Sequence, residues 1–248
     1  NWLTSQTLRD KQAGTQPAEI TAEQVVATAI DCGSGAVVSS YNEPLITAEW
    51  AYDIFSLAQQ AGLKTALVSN GHGTPQALEF LRPVTDAIKI DLKSMSRASY
   101  RELGLSLKVV LDTLERAWRL GFWVEVVTLV VPGFNDTADE LTEIAAFVAG
   151  VSPQIPWHVS AFHPDYRYTG APPTPVDTLV QAGEIGRAAG LEYVYAGNVD
   201  ALLPDMVNTT CPGCSAELIR RVGYYILDNQ ISEGRCPSCS REIPGVWA

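Results

Sequence analysis

Runs of apolar residues at helical spacing alternate with short β-branched runs from residue 17 to about residue 200, the pattern of a chain that lays parallel strands between helices. The first helix is predicted from Pro17 to Ile30, with Pro17 in its opening turn, Glu19 and Glu23 near its positive end, and Gly33 and Gly35 after it. A short strand, Ala36 to Ser40, follows. Ile46 to Ala61 is amphipathic and stops at Gly62; Lys64 to Ser69 is a strand running into Asn70-Gly71-His72-Gly73. The plan then repeats: helix Pro75 to Leu81, strand Ala87 to Leu92, helix Leu107 to Leu120, and the β-branched run Phe122 to Val131, which Pro132-Gly133 stops. Helix Thr137 to Ala149, strand Trp157 to Phe162, a proline-broken loop from His163 to Pro175, helix Val176 to Ala189 and strand Glu192 to Ala196 complete five or six βα units.

This spacing suits a (β/α) barrel, although periodicity alone does not separate an open sheet from a closed or partial barrel. In either architecture ligands sit at the carboxyl ends of the strands. Asn42 and Glu43, Asn70, Asp91 and Lys93, Thr128 and His163 all fall there.

Composition narrows the class. Hydrophobic residues at 46% and charged residues at 18% suit a folded soluble protein, and no run approaches the roughly 18 apolar residues of a membrane span. A net charge of -11 with scattered Lys and Arg argues against nucleic acid as a partner. The chain opens without Met or a signal-peptide pattern, as a processed protein or a fragment would. Five cysteines, four of them in Cys-x-x-Cys pairs, follow the intracellular metal pattern and point to the cytoplasm. The fifth, Cys32, reads as a small buried hydrophobe.

The tail carries the sharpest motif. Cys211-Pro-Gly-Cys214 and Cys236-Pro-Ser-Cys239 are 21 residues apart, and two such knuckles supply four thiolates to one tetrahedral ion. Leu218 to Asp228, with Val222 to Ile226 at its centre, is enough for a hairpin and too little for an independent core, so metal would supply the missing stability. Structural zinc, a rubredoxin-like iron and redox-active dithiols are the three readings, zinc first. Four thiolates leave no open position for catalysis. The division expected is residues 1–205 as the barrel and 206–248 as a zinc-ribbon or rubredoxin-like module.

Asn1-Trp2 with Ser5-Gln6, Tyr41-Asn42-Glu43-Pro44, Ser69-Asn70-Gly71-His72, Ile88 to Lys93 and Val131-Pro132-Gly133-Phe134-Asn135-Asp136 together resemble the radical SAM superfamily, near the activating enzymes of pyruvate formate-lyase and other glycyl-radical enzymes. His163 to Tyr166, Ala171 to Pro175, Tyr193 to Asn198 and the cysteine pairs ending Ile243 to Trp247 narrow the resemblance to the radical SAM enzyme of the AmmeMemoRadiSam system. The resemblance implies a partial TIM-like barrel lacking its first strand and cluster loop, because the family's three-cysteine loop would end just before Asn1; the sequence is then N-terminally truncated. It implies a [4Fe-4S] cluster, with ligands missing from this chain, that reductively cleaves S-adenosylmethionine (SAM) to a 5'-deoxyadenosyl radical. A flavodoxin or ferredoxin reductant comes with it, together with a protein substrate or partner of that system; the hydrogen donor is left open between a protein backbone glycine, another macromolecular group and a small molecule.

The residues carried over are Asn42, Glu43, Asn70, Asp91, Lys93 and His163 for SAM, with Cys211, Cys214, Cys236 and Cys239 for the metal. Glu43 would accept from the methionine ammonium rather than merely open a helix before Pro44; Asp91 and Lys93 would meet ribose and carboxylate rather than form an ordinary ion pair. His163 would lie near adenosine, and His72 reads equally well as a solvated loop imidazole. No catalytic acid or base is identified. The competing class is a non-catalytic zinc-binding interaction module on a barrel without its cluster.

Overall fold

The computed structural model describes residues 2–7, 9–13, 18–199, 203–223 and 225–247. The four-residue α1 (Trp2–Ser5) is followed by α2 (Ala22–Asp31), β1 (Ala36–Ser39), α3 (Ala48–Gln60), β2 (Lys64–Ser69), α4 (Pro75–Leu81) and β3 (Ala87–Asp91). Then come α5 (Arg97–Glu102), α6 (Leu107–Arg119), β4 (Trp123–Val130), α7 (Ala138–Val151), β5 (Trp157–Ala161), α8 (Val176–Ala188) and β6 (Val194–Gly197). The six strands form one sheet in chain order, and the pairs β1/β2, β2/β3, β4/β5 and β5/β6 run parallel, the α/β class expected from the alternating pattern. A second sheet, β7 (Thr209–Thr210), β8 (Glu217–Val222) and β9 (Tyr225–Asn229), is antiparallel. Among the described residues no helix is long and apolar enough to cross a membrane.

Packing divides the chain into two compact units, Asn1–Ile90 with Lys108–Val124, and Asp91–Leu107 with Glu125–Ala248. In the first, β2 alternates so that Thr65, Leu67 and Ser69 are buried, and Phe55, Leu78, Leu81, Ile88, Ile90 and Leu114 build the core. Arg82 ties the lower loops: Nε donates to Leu120 O (2.8 Å), Nη1 to Thr85 O (2.8 Å) and Nη2 to Gly121 O (3.0 Å), with its guanidinium over the Phe122 ring.

Several boundaries differ from those expected. Pro17 lies outside the described residues, and α2 starts only at Ala22. Thr21 Oγ1 accepts from Gln24 N (3.3 Å) while Gln24 Oε1 accepts from Thr21 N (2.8 Å), a reciprocal capping box that overrides the proline signal and leaves Glu19 ahead of the helix. Cys32 is exposed, contrary to the expectation of a buried hydrophobe: it is the C-cap of α2, off the stripe formed by Ala22 and Val26. The helix expected from Ile46 begins with a 3-10 turn over Pro44–Thr47, and α5, too short to carry a periodic signal, was not anticipated.

The second unit is built on Val126, Val130, Leu141, Ile144, Trp157, Val159 and Leu179. Gly186 in α8 is required by close packing: a Cβ there would meet Val194 Cγ2 at 2.8 Å and Trp157 Cε3 at 3.0 Å. Polar side chains brace the strand ends. Asn135, 1% exposed, donates from Nδ2 to Lys93 O (2.6 Å) and Leu129 O (2.9 Å) and accepts from Val131 N (2.7 Å). Thr174 Oγ1 donates to Val130 O (2.6 Å) and accepts from Phe162 N (2.8 Å). Each buried amide or carbonyl left unpaired would cost about 1–3 kcal/mol, so these side chains hold the loops after β4 and β5 in place.

Candidate functional site and metal centre

The two cysteine knuckles fold identically. Cys211 N donates to Ala216 O (2.8 Å) and Ser215 N to Cys211 O (2.8 Å); in the second, Cys236 N donates to Arg241 O (2.9 Å) and Ser240 N to Cys236 O (2.9 Å). Ser215 and Ser240 both take the left-handed conformation, at φ 59° and 61°. Each turn therefore presents its two sulfurs to the same side. The four Sγ atoms lie within 4.8 Å of one another, with Cys211–Cys239 at 3.6 Å and Cys214–Cys236 at 3.7 Å. A tetrahedron with metal–sulfur bonds of about 2.3 Å has sulfur–sulfur edges of about 3.8 Å, so the thiols are already spaced for one ion.

Protonation favours the same conclusion. Although desolvation opposes ionisation of Cys236, backbone N–H groups of Cys239 and Ser238 and the neighbouring thiols bring it down to about 6. At Cys214 the Ala216 N–H favours the thiolate, but the three other sulfurs push it up to about 12. Four sulfurs at this spacing cannot all ionise without a cation, and a divalent ion removes that conflict. Around them the core is small: Cys211, Leu218, Ile219, Cys236 and Ile243, with Ala216, Ile231 and Trp247 packed against it. The Tyr193 hydroxyl is buried without a hydrogen-bond partner among the described residues. Burial foremost, then negative charge nearby including Glu192 and Cys211, pushes this phenol up, so it stays a donor.

At the strand rim the structure joins two of the expected residues in each unit. Glu43 Oε1 accepts from Ser69 Oγ (2.7 Å) and Leu45 N (3.2 Å), and Oε2 from Asn70 N (2.8 Å), so one carboxylate closes the ends of β1 and β2. Asn70 Oδ1 accepts from His72 N (2.8 Å), and the loop needs glycine next to it: Gly71 has φ +75° and a Cβ there would meet Ile90 Cγ2 at 2.8 Å. Asn42 and His72 are exposed.

In the second unit Lys93 Nζ pairs with Asp91 Oδ2 at 2.9 Å. Lys93 N donates to the Tyr100 hydroxyl (3.0 Å), while Asn135 holds its carbonyl. Burial and the Asp91 charge push the Tyr100 phenol up to about 12, although the Lys93 N–H lowers it, so it remains a hydroxyl. His163 is exposed at the start of the loop after β5. Thr128, expected among the ligand-facing groups, is buried instead: it donates to Leu92 O (2.8 Å) and accepts from Trp157 Nε1 (2.9 Å), on the side of β4 that packs inward. Asn135 was missed as a bracing residue. The available signal was an Asn just past a Pro-Gly turn at a strand end, where side-chain amides replace backbone partners.

The Radical SAM superfamily model matches residues 6–148. An uncharacterised protein of Methanocaldococcus jannaschii is 37% identical over 228 residues, 91% of this chain and 67% of that protein. The pyruvate formate-lyase-activating enzyme of Clostridium pasteurianum is 25% identical over 140 residues, 54% of this chain and 58% of its own. Among solved structures, a domain of the pyruvate-formate lyase-activating enzyme from Bacteroides vulgatus superposes with a TM-score of 0.59 at 20% identity, covering 66% of this chain and all of that domain. That likeness concerns the fold.

Proposed function

Since the chain belongs to the radical SAM superfamily, we propose that the intact protein binds SAM and that Asn42, Glu43, Asn70, Asp91, Lys93 and His163 are the residues that contact it. The observation that carries this reading is the braced Asp91–Lys93 pair. Lys93 is the cation for the methionine carboxylate: its ammonium has three donors, one engaged by Asp91 at 2.9 Å, and its backbone is fixed on both sides by Tyr100 and Asn135. Glu43 accepts three internal hydrogen bonds, and a carboxylate offers about four acceptor positions, which leaves one for the methionine ammonium. Asp91 orients Lys93 and faces the ribose hydroxyls, and His163 lies beside adenosine.

The cofactor implied by this family, a [4Fe-4S] cluster, would supply the electron for reductive cleavage of SAM. Of the five cysteines here, four are spoken for by the ribbon and Cys32 stands alone, so this sequence offers no three-cysteine set that fits such a cluster. On this reading its ligands would come from residues outside this sequence. The chain spans about 58–67% of the length of the curated relatives above.

The partners follow the same reading: a flavodoxin or ferredoxin as reductant, and a protein of the AmmeMemoRadiSam system as hydrogen donor, in the cytoplasm. Residues 206–248 act as a separate ribbon module whose four cysteines hold structural zinc. The missing three-cysteine set also favours a second reading, in which the chain is a zinc-bearing interaction module without catalysis. SAM binding by the intact wild-type protein separates the two, and Lys93→Gln tests the assigned carboxylate contact. Losing one charge-assisted contact, worth about 1.5–3 kcal/mol, should weaken SAM binding by roughly ten- to a hundredfold in calorimetry with the zinc content unchanged. Unaltered affinity would remove Lys93 from the site.

A further inference from the structure

Alternation along the strands of the second unit sorts its side chains onto two faces. Trp157 and Val194 pack on α8, and Thr128 bonds to Trp157, so Glu125, His158 and Tyr195 project from the opposite face. There His158 Nε2 meets Glu125 Oε2 at 2.9 Å, and the two side chains are 30% and 38% exposed. An ionised carboxylate can only accept, so an imidazole in its neutral form would carry its proton on Nε2 toward Glu125 and leave Nδ1 as the acceptor. Nδ1 has no hydrogen bond among the described residues.

The ring is held from the other side as well. Tyr195 stacks on His158 with centroids 5.2 Å apart and planes 29° apart. The Tyr195 hydroxyl and Thr209 Oγ1 are 2.9 Å apart, and burial raises its pKa, which keeps it a hydroxyl. Arg221, on the β8 arm of the ribbon hairpin, donates from Nη1 to Thr209 Oγ1 (2.8 Å) and to Val207 O (3.0 Å), and its guanidinium lies 5.8 Å from the Tyr195 ring centroid. Its backbone N donates to Asn208 Oδ1 (2.8 Å). Residues 207–210 lead directly into Cys211. An unbroken series of contacts thus joins the four-cysteine ribbon to an imidazole on the face of the sheet opposite α8.

We infer that Tyr195 and Arg221 are positioning residues through which the four-cysteine module fixes the orientation and tautomer of the Glu125–His158 pair. His158 Nδ1 then presents one acceptor of defined direction to a hydrogen-bond-donating group of the substrate. This use rests on the SAM-dependent reading above, but the coupling from ribbon to imidazole does not. It assigns the ribbon a second duty besides its own fold: when metal is lost, the seat of Thr209 loosens and the imidazole is freed.

The chain has three histidines, His72, His158 and His163, so ¹⁵N imidazole spectra of the zinc-loaded full chain are simple to assign. The expected wild-type His158 signal is that of a single Nε2–H tautomer. Tyr195→Phe keeps the ring and removes only the hydroxyl link. It should raise the Nδ1–H form severalfold, within the roughly two- to tenfold range of one ordinary hydrogen bond, and Arg221→Met should do the same. Arg221→Lys, which can still donate to Thr209, should largely restore the wild-type pattern, while His72 and His163 stay put in all three variants. Cys214→Ser should reproduce the His158 change. A His158 signal that responds to Glu125→Gln but to none of Tyr195→Phe, Arg221→Met and Cys214→Ser would overturn the coupling, and indifference to Glu125→Gln would overturn the pair itself. No SAM or cluster enters these spectra, so a failed cleavage assay and a failed coupling are told apart.

Discussion

Replacing Cys236 with serine is expected to empty the metal site and unfold the ribbon while leaving the six-stranded sheet intact. The ribbon core has five buried members, two of them metal-binding cysteines, so its apolar burial is too small to hold three short strands by itself. Apparent binding free energies of structural zinc sites run to about 10–16 kcal/mol at neutral pH, and with zinc in the site most of the ribbon's stability would come from that source. Metal analysis should fall from about one zinc per chain to near zero, and amide exchange protection should vanish over β8 and β9 but persist over β2 and β5. Acid should act in the same direction. The ion is held by thiolates, so protonating them as pH falls releases the metal and with it the stability it supplies. Protected ribbon amides in the serine variant would show that the fold does not depend on the metal.

A second large effect is expected from Glu43→Ala, and it should appear twice. Removing the carboxylate strips Ser69 Oγ, Asn70 N and Leu45 N of their acceptor, and Ser69 is 2% exposed, so water does not easily replace it. A loss of about 2–4 kcal/mol in denaturant unfolding follows from orphaned donors of this kind. SAM affinity in the intact protein should drop by roughly tenfold or more, since the acceptor for the methionine ammonium goes with it. Glu43→Gln keeps the shape and one acceptor oxygen but must turn its amide toward a donor, so it should recover part of the stability and little of the binding. Wild-type SAM affinity in Glu43→Ala would leave the residue with a purely architectural duty at the β1 and β2 ends.

These expectations draw on features that differ in how plainly the sequence announces them. The cysteine knuckles are local: sulfurs that share an ion are two residues apart, and the turn that aims them is written in Pro212 and Pro237. Strands β2 and β4 are equally local, because a β-branched run closed by Gly or Pro has few other solutions. The start of α2 was misplaced because Thr21 and Gln24 outcompete a proline that also opens helices well. Thr128 looked like a ligand because it stands near a strand end; which side of β4 it faces depends on the phase set by Val126 and Val130, and the structure spends it on Trp157.

Least legible was the Glu125–His158–Tyr195 ladder. Its members are 33 and 37 residues apart and meet only because β4, β5 and β6 lie side by side in one register, His158 against Val127 and Tyr195. A lone histidine in a strand carries no sign of which carboxylate it will find. Asn135 is an intermediate case. Its place after Pro132-Gly133 marks a turn, yet that its amide would reach Lys93 O follows only from the fold.

SAM cleavage by the intact protein is the central expectation. The intact protein, loaded with iron and sulfide under anaerobic conditions and reduced with dithionite in the presence of SAM, should yield 5'-deoxyadenosine and methionine in equal amounts by chromatography. A fully loaded cluster that is reduced and still forms no 5'-deoxyadenosine would contradict it.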